Sequence, residues 1–210
     1  APAWSFRSAL PDAPARLNVG GSFHATTADY IKLGTDGVVF ADPAKGSMLT
    51  SAPPSAFGFL NANPAGIQVL SNAVPVLQVP VGRTLSLVGG TINVGTGSAQ
   101  GFLLAPAGRV NLVSVASAGE ATFDPTTING PLNTGPSSFK TREINVDNFT
   151  KLGDINIRGG ASPAASLVDA REIFIRSGNL TVDNSLVLPG IFNEINFPGA
   201  LAANGGRVEV

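Results

Sequence analysis

Apolar and polar residues alternate strictly on both sides of the pair Gly89–Gly90. Leu85 and Leu87 fall on one face of the segment before this pair, and Ile92 and Val94 fall on the same face of the segment after it. Alternation with a period of two residues is typical of β-strands, and glycine between two such segments indicates a sharp bend. This stretch therefore predicts two short strands joined by a glycine corner.

The same pattern returns 88 residues later, at Ile173, Ile175, Leu180 and Val182 (85 to 173). Four coils of about 22 residues give this separation, which is typical of repeat proteins. One coil cannot bury its aliphatic row, but neighbours stacked at about 4.8 Å can. We therefore expect an all-β solenoid of about nine or ten coils, roughly 45 Å long, with loop excursions at residues 42–55, 119–140 and 186–203.

Other segments extend this prediction along the chain. Strands of the stack are predicted at Tyr30–Leu33, Val38–Ala41 and residues 143–146, and a corner is predicted at residues 105–108. One short helical turn is compatible with residues 166–172. Further glycine corners, where a bend is easiest because glycine lacks a Cβ atom, are predicted at Gly20, Gly21, Gly159, Gly160 and Gly178.

The composition narrows the classes of function. Charged residues make up only 13% of the chain, and it contains 25 glycines and 16 prolines. This composition fits a protein with many short strands and frequent turns. The net charge is −1 without a basic cluster, which argues against nucleic acid as a partner. There is no cysteine, which excludes disulfides, zinc–thiolate sites and thiol catalysis. We expect no cofactor.

Several segments, in order, resemble the secretion-domain region of filamentous-haemagglutinin-type exoproteins. They are Leu17-Asn18-Val19-Gly20-Gly21-Ser22-Phe23-His24-Ala25-Thr26-Thr27-Ala28-Asp29-Tyr30, Asn63-Pro64-Ala65-Gly66-Ile67, residues 79–90, residues 105–112 and residues 115–120. The resemblance covers roughly residues 4–120, and residues 143–184 resemble the repeats that follow.

This resemblance implies a right-handed parallel β-helix that is exported by two-partner secretion. In that family an outer-membrane β-barrel transporter recognises the N-terminal domain and passes the chain out unfolded. Residues 1–140 would be the secretion-domain-like part and residues 141–210 continuing repeats of the same rod, and we expect the rod to be a fragment of a longer chain. The implied location is extracellular or at the outer cell surface.

The segment Asn63, Pro64, Gly66 and Ile67 is the candidate recognition site, because Asn-Pro segments are implicated in secretion in that family. The same residues also suit a structural turn, since asparagine before proline is held extended and proline fixes φ. Both interpretations stay open.

Other candidates for chemistry favour structural roles. His24 is the single histidine, and a metal site would need it together with carboxylates such as Asp29. Stacked rungs could bring together some of Asp147, Asp154, Asp169 and Asp183, although each lies in a turn-like context. We expect Arg83, Arg109, Arg158 and Arg176 to be solitary and to face outward. The four asparagines that alternate with apolar residues either face outward or form amide ladders: Asn93, Asn111, Asn145 and Asn156.

Three functions fit these observations. The first is a non-catalytic surface exoprotein or adhesin that contacts host or cell-surface glycans or proteins. The second is a β-helical polysaccharide lyase or glycoside hydrolase, which needs clustered carboxylates on one face. The third is a structural subunit of an extracellular filament, in which chains associate end to end.

Overall fold

A computed structural model describes residues 4–6, 19–70, 77–128, 144–160, 165–189, 200–201 and 207–209. Within these residues the protein is all-β, and the helix they contain, Pro125–Ile128 (α1), has four residues. No helix in this part of the chain is long and apolar enough to cross a membrane. The strands are Trp4–Phe6 (β1), Phe23–Thr26 (β2), Tyr30–Leu33 (β3), Gly37–Phe40 (β4), Pro54–Phe59 (β5), Ile67–Val69 (β6), Leu77–Gln78 (β7), Thr84–Gly89 (β8), Ile92–Val94 (β9), Phe102–Ser114 (β10), Gly119–Thr122 (β11), Asp154–Arg158 (β12), Ser166–Arg176 (β13), Asn179–Asp183 (β14), Ser185–Pro189 (β15), Ala200–Leu201 (β16) and Arg207–Glu209 (β17).

The first sheet consists of parallel strands in the order β1-β6-β9-β12-β14. Ile67, Ile92, Ile155 and Leu180 occupy equivalent positions on four successive strands. The three isoleucines are at most 2% exposed, and Leu180 packs against the same core. Stacking in register buries one continuous aliphatic row, as the alternation predicted.

The second sheet is also parallel, in the order β16-β15-β13-β10-β8-β2, with β7 beside β10 and β17 beside β13. The first half of β10 pairs with β7 on one side and with the first half of β13 on the other, and the first half of β13 also pairs with β15. The second half of β10 pairs with β8 and with the second half of β13, which in turn pairs with β17. The sequence predicted a corner that separates two strands at residues 105–108, and this prediction is wrong. Strand β10 continues through these residues with a shift in its register, and Ala107 has φ 50°. Such a bulge bends a strand without ending it.

The repeat length also differs from the prediction. Leu85, Val110 and Ile173 are equivalent residues on the adjacent strands β8, β10 and β13. The interval from Leu85 to Ile173 therefore contains two unequal steps, and not four steps of about 22 residues. Paired side chains on these strands are 25 positions apart between β8 and β10, and 63 positions apart between β10 and β13.

The first sheet repeats this alternation of short and long steps. Paired side chains are 63 positions apart between β9 and β12, and 25 positions apart between β12 and β14. Each long step therefore holds an insertion that the short steps lack. The described part of this sheet has five strands, short of the nine or ten coils expected. The excursion predicted at residues 119–140 lies within this long step, and its described part contains β11 and α1, while residues 129–140 lie outside the described part.

A third sheet is antiparallel and has the order β11-β5-β3-β4. Strand β11 lies within the long step, and β3, β4 and β5 lie between β2 and β6. The predicted strands at residues 30–33 and 38–41 exist as β3 and β4, but they pair antiparallel with each other and lie outside the parallel stack. The short turn between them reverses the chain, with Gly34 at φ 63°, and a connection this short joins only antiparallel strands. Among residues 42–53, Met48 alone pairs with a strand, through Val38.

The third sheet and nearby loops bury the outward face of β8 and of the second half of β10, which creates a second core. All six residues of β8 are buried, because its two faces belong to different cores. The buried members of the second core are Ala28, Phe57, Phe59, Val88, Val113, Val115, Ala121, Ile128, Ile144 and Phe174.

Three more predictions are wrong within the described residues. Residues 166–172 form part of strand β13 and hold no helical turn. The excursion predicted at residues 186–203 contains β16 and most of β15, while residues 190–199 and 202–203 lie outside the described part. In the rung predicted at residues 143–146, Asn145 makes only an isolated antiparallel bridge with Thr122, and Glu143 lies outside the described part.

Candidate functional site

Residues 60–66 connect the antiparallel sheet to the first parallel sheet, because they run from the end of β5 to the start of β6. Leu60 is 47% exposed, and Asn61 and Asn63 are exposed as well. Within the described structure, the side chains of both asparagines make no hydrogen bond. The amide groups at this surface are therefore open to a partner.

The half-buried end of this segment is held through the carbonyl group of Ala65. The Thr27 hydroxyl donates a hydrogen bond to it at 2.6 Å, and the backbone N–H of Gly90 donates another at 2.9 Å. Thr27 is only 5% exposed, and its own N–H donates to the Val88 carbonyl at 3.2 Å. A Cβ atom on Gly90 would lie 2.1 Å from the Pro64 carbonyl oxygen, so this approach requires glycine.

The last residues of the predicted recognition motif enter the first parallel sheet. The Ile67 N–H donates to the Thr91 carbonyl at 2.9 Å, and a Cβ atom on Gly66 would lie 2.8 Å from the same oxygen. Ile67 is 2% exposed and belongs to the first core. The motif thus has an exposed residue, Asn63, a half-buried Pro64 and a buried Ile67.

The glycines predicted as corners lie at the end of a strand or just outside one. A Cβ atom on Gly89 would lie 2.6 Å from the Thr27 hydroxyl oxygen, so the contact between these residues depends on glycine. The full set is Gly20, Gly21, Gly89, Gly90, Gly159, Gly160 and Gly178.

His24 and Asp29 take part in separate contacts. The His24 ring stacks on Phe123, with centroids 6.5 Å apart and planes inclined by 14°. The Asp29 carboxylate accepts a hydrogen bond from the Leu60 N–H at 2.7 Å, which fixes the start of the segment 60–66. Within the described ranges, no group of three His, Cys, Asp or Glu side chains could hold a metal ion.

Two of the candidate carboxylates lie at opposite ends of neighbouring strands. Asp154 begins β12 and accepts a hydrogen bond from the Asn179 amide at 2.8 Å. Asp183 ends β14, where it pairs in register with Arg158. Their positions follow the ladder of the first sheet and do not converge on one point.

The other two candidate carboxylates lie in different surroundings. Asp169 is on β13, in register with Leu104, and burial raises the pKa of its carboxyl group. Asp147 is exposed and accepts a hydrogen bond from the Asn145 amide at 2.7 Å. Asn145 in turn accepts one from the Asp147 N–H at 3.0 Å, which makes a local turn.

Arg109 is not the solitary outward residue that the sequence predicted. It is 4% exposed and forms an ion pair with Glu172, which is 6% exposed. Its Nη2 and Nε atoms donate to Glu172 Oε2 at 2.5 Å and 3.0 Å. The two residues are direct neighbours in the β10–β13 ladder, on the face that the second core covers, and the prediction failed because it assumed an uncovered face.

The prediction also fails for Arg176 and holds for two other arginines. The guanidinium group of Arg176 lies 4.3 Å from the ring centroid of Phe174, and its Nη1 donates to the Ile175 carbonyl. Arg83 and Arg158 are exposed.

An amide ladder forms on the first sheet. The Asn156 amide on β12 donates a hydrogen bond to Asn93 Oδ1 on β9 at 3.0 Å. Amide ladders were one of the two alternatives predicted for these asparagines, the other being that they face outward. Asn111 instead lies fully buried on the second sheet and donates to the Ser86 hydroxyl at 2.9 Å.

A cluster that the sequence did not reveal lies on the third sheet. Tyr30 donates to Glu120 Oε1 at 2.5 Å, and Lys32 forms an ion pair with Glu120 at 2.7 Å. Burial and then the hydrogen bond to Glu120 raise the pKa of Tyr30 to about 12. Burial alone would raise the pKa of Glu120, but the hydrogen bonds from Lys32 and Tyr30 outweigh it and lower this pKa. Nothing local in the sequence links residues 88 and 90 positions apart.

Comparison with known families gives one match. The family described as TPS secretion domain matches residues 12–161, which is more than half of the chain. A search of curated proteins found no match, and neither did a search of solved structures. The matched residues include the segment 60–66, Thr27 and the glycine pair 89–90.

Proposed function

Because the chain belongs to the family of two-partner-secretion (TPS) domains, we propose that it directs export of an exoprotein and that the segment 60–66 is read by the transporter. Membership in this family supports a secreted protein that crosses the outer membrane with an outer-membrane transporter as its partner. The family match over residues 12–161 is the observation that carries this proposal.

The architecture proposed for the parallel strands is a right-handed β-helix. Successive levels each contribute one strand to the first sheet and then one to the second: β6 precedes β8, β9 precedes β10, and β12 precedes β13. In-register parallel pairing at every level supports a coil that advances by one strand spacing per turn. Right-handedness follows from the strong preference of parallel crossover connections for that hand. The division of the rod at residue 140 stays a prediction, and the family match crosses it.

Recognition by the transporter is proposed to depend on Asn63, with Pro64 and Gly66 setting its position. The open amide of Asn63 and the fixed carbonyl of Ala65 support this role. Ile67 is proposed to contribute to the motif mainly by anchoring it, since its side chain is buried.

The test is export of the chain from a cell that carries the cognate transporter. Replacing Asn63 with alanine should reduce the amount released while leaving thermal stability unchanged, because the side chain makes no hydrogen bond within the described structure. The matched control is Asn61→Ala, two residues earlier on the same exposed surface. If the two variants and the unchanged chain are released in equal amounts, Asn63 is not needed for recognition by the transporter.

After export, the chain is proposed to act without catalysis, as adhesive or structural material at the cell surface. The separation of Asp154, Asp169 and Asp183 along the sheets supports this over a hydrolase or lyase, which needs converging carboxylates. Binding of the purified chain to arrays of glycans and host proteins tests adhesion. Fibres in electron micrographs of the same material would favour the filament subunit instead.

A further inference from the structure

The buried side chains of the parallel sheets do not by themselves define which residues of neighbouring strands lie side by side. On the second sheet the inward row of each strand consists of branched aliphatic residues that are at most 2% exposed: Leu85 and Leu87 on β8, Val110 and Leu112 on β10, and Ile173 and Ile175 on β13. A shift of one strand by two residues keeps every side chain on its own face and exchanges one such residue for another. Exchanges of similar volume in a core cost little. The aliphatic rows therefore decide which face is buried and leave the register open.

The connections between strands also leave the register open at the long steps. Register partners on β10 and β13 are 63 positions apart, and so are those on β9 and β12. A tight turn fixes the register of the strands that it joins, but a long connection can absorb a shift of two residues at little entropic cost. A chain that leaves the transporter unfolded must find this register after export.

Polar side chains on the outward faces distinguish one register from another. Four steps of the parallel ladders carry a side-chain hydrogen bond between direct register partners. The short steps have Asn111–Ser86 at 2.9 Å and Asn179–Asp154 at 2.8 Å, and the long steps have Arg109–Glu172 at 2.5 Å and Asn156–Asn93 at 3.0 Å. Each bond exists in one register, because a shift of two residues moves the partners roughly 6.6 Å apart along the strands.

The pair Arg109–Glu172 discriminates most strongly between registers. Both side chains are nearly fully buried, since the two residues are 4% and 6% exposed. A shift of two residues in one direction would place Arg109 opposite Phe174, and a shift in the other direction would place Glu172 opposite Asn111. Either shift leaves the two charges buried without their partners, which costs far more than the exchange of one aliphatic residue for another.

We propose that Arg109–Glu172 and Asn93–Asn156 fix the register in which the strands after the long step pair with the strands before it. The aliphatic rows supply the stability of the parallel sheets, and the polar pairs select one of several arrangements that bury these rows equally well. Asn93 and Asn156 are half-buried, so their bond contributes less discrimination than the ion pair. This selection takes place within the chain itself and requires neither the segment 60–66 nor the transporter.

The test traps the register with disulfides, because the chain has no cysteine of its own. Leu104 and Asp169 are direct partners on β10 and β13, so Leu104→Cys/Asp169→Cys reports the observed register. Leu104→Cys/Leu167→Cys reports a shift of two residues on the same face. Neighbouring strands are about 4.8 Å apart, whereas a further offset of two residues exceeds the Cα separation of roughly 7 Å that a disulfide can bridge. Each full-length chain is refolded from urea in the reduced state and then oxidised, and peptide mass spectrometry measures the disulfide yield.

In the chain with its polar pairs intact, the direct cysteine pair should form a disulfide and the shifted pair should not. The fourfold variant Arg109→Met/Glu172→Leu/Asn93→Val/Asn156→Val removes both polar pairs. In this variant the shifted cysteine pair should give about tenfold more disulfide than in the chain with intact pairs, because no buried charge or amide opposes the shift.

The matched control is Val110→Ile/Ile173→Val, which alters the inward rows, conserves their total volume and leaves the polar pairs in place. Its shifted cysteine pair should give as little disulfide as in the chain with intact pairs. Circular dichroism establishes that each variant is folded.

A fourfold variant whose shifted pair forms no more disulfide than the control would overturn the proposal, since the aliphatic rows would then suffice to fix the register. If the fourfold variant does not fold, Arg109→Met/Glu172→Leu and Asn93→Val/Asn156→Val decide the question separately. The first should raise the yield of the shifted disulfide more than the second, and no rise in either would equally overturn the proposal.

Discussion

The ring of Tyr30 occupies the space that a side chain on Gly58 would need: a Cβ atom there would lie 1.9 Å from Tyr30 Cζ. The two residues are direct neighbours on β3 and β5, and Gly58 is in turn paired with Glu120 on β11. The tyrosine therefore crosses β5 above its glycine and reaches the carboxylate two strands away. An aromatic ring that covers a glycine in a sheet also shields the backbone there.

Replacing Gly58 with alanine should lower the free energy of unfolding by about 1–3 kcal/mol, the usual cost of forcing an extra methyl group into filled space. Urea denaturation followed by circular dichroism measures this. Gly46→Ala is the control, because a Cβ atom there meets nothing within 4 Å. A Gly58→Ala protein as stable as the control would contradict the packing described.

Glu120 should make stability depend on pH in the acidic range. Its pKa in the folded protein is lowered, so its contribution is present above the unfolded pKa and is lost as the pH falls through the folded value. Glu120→Gln should be less stable than the unchanged chain at neutral pH, and the two unfolding curves should converge at acidic pH. A constant difference at every pH would show that the charge of Glu120 is not responsible.

Tyr30 should ionise with a midpoint near pH 12, compared with 10.0 for a free tyrosine. It is the single tyrosine of the chain, so ultraviolet absorbance reports its ionisation directly. Because the folded state favours the neutral phenol, stability should fall as the pH rises from 10.0 towards about 12. Glu120→Gln should lower the midpoint, with circular dichroism recorded in parallel to establish that the chain stays folded.

The buried pair Arg109–Glu172 should behave as a unit. Removing one partner, as in Glu172→Leu, leaves a buried charge and should cost about 3–5 kcal/mol of stability. The double variant Arg109→Met/Glu172→Leu removes both charges and should recover most of that loss. Chemical denaturation of the two single variants and the double variant tests this, and purely additive losses would contradict it.

Thr27 should stabilise the segment 60–66 through its hydroxyl group. Thr27→Val keeps the shape but loses the hydrogen bond to Ala65, which should cost about 1 kcal/mol. Thr27→Ser keeps the hydroxyl and should retain most of the stability. Thermal unfolding of the two variants measures the difference, and equal stability would show that the Gly90 N–H alone holds the carbonyl.

Several features could be read directly from the chain. The alternation around Gly89–Gly90 correctly predicted the strands β8 and β9 and their buried residues, because strand geometry sends successive side chains to opposite faces. The ordered segments between Leu17 and Glu120 correctly identified the family.

Other features depended on which strands lie side by side. Alternation states which face of a strand is apolar, but not what covers the opposite face. The sequence therefore determined the all-β class, the inward aliphatic rows and the family of this protein. Only the tertiary structure decided that β11, β5, β3 and β4 form an antiparallel sheet over β8 and β10, and that this cover buries Arg109 with Glu172. The physical reason is that these contacts join residues as many as 90 positions apart, where pairing is set by packing and not by local pattern.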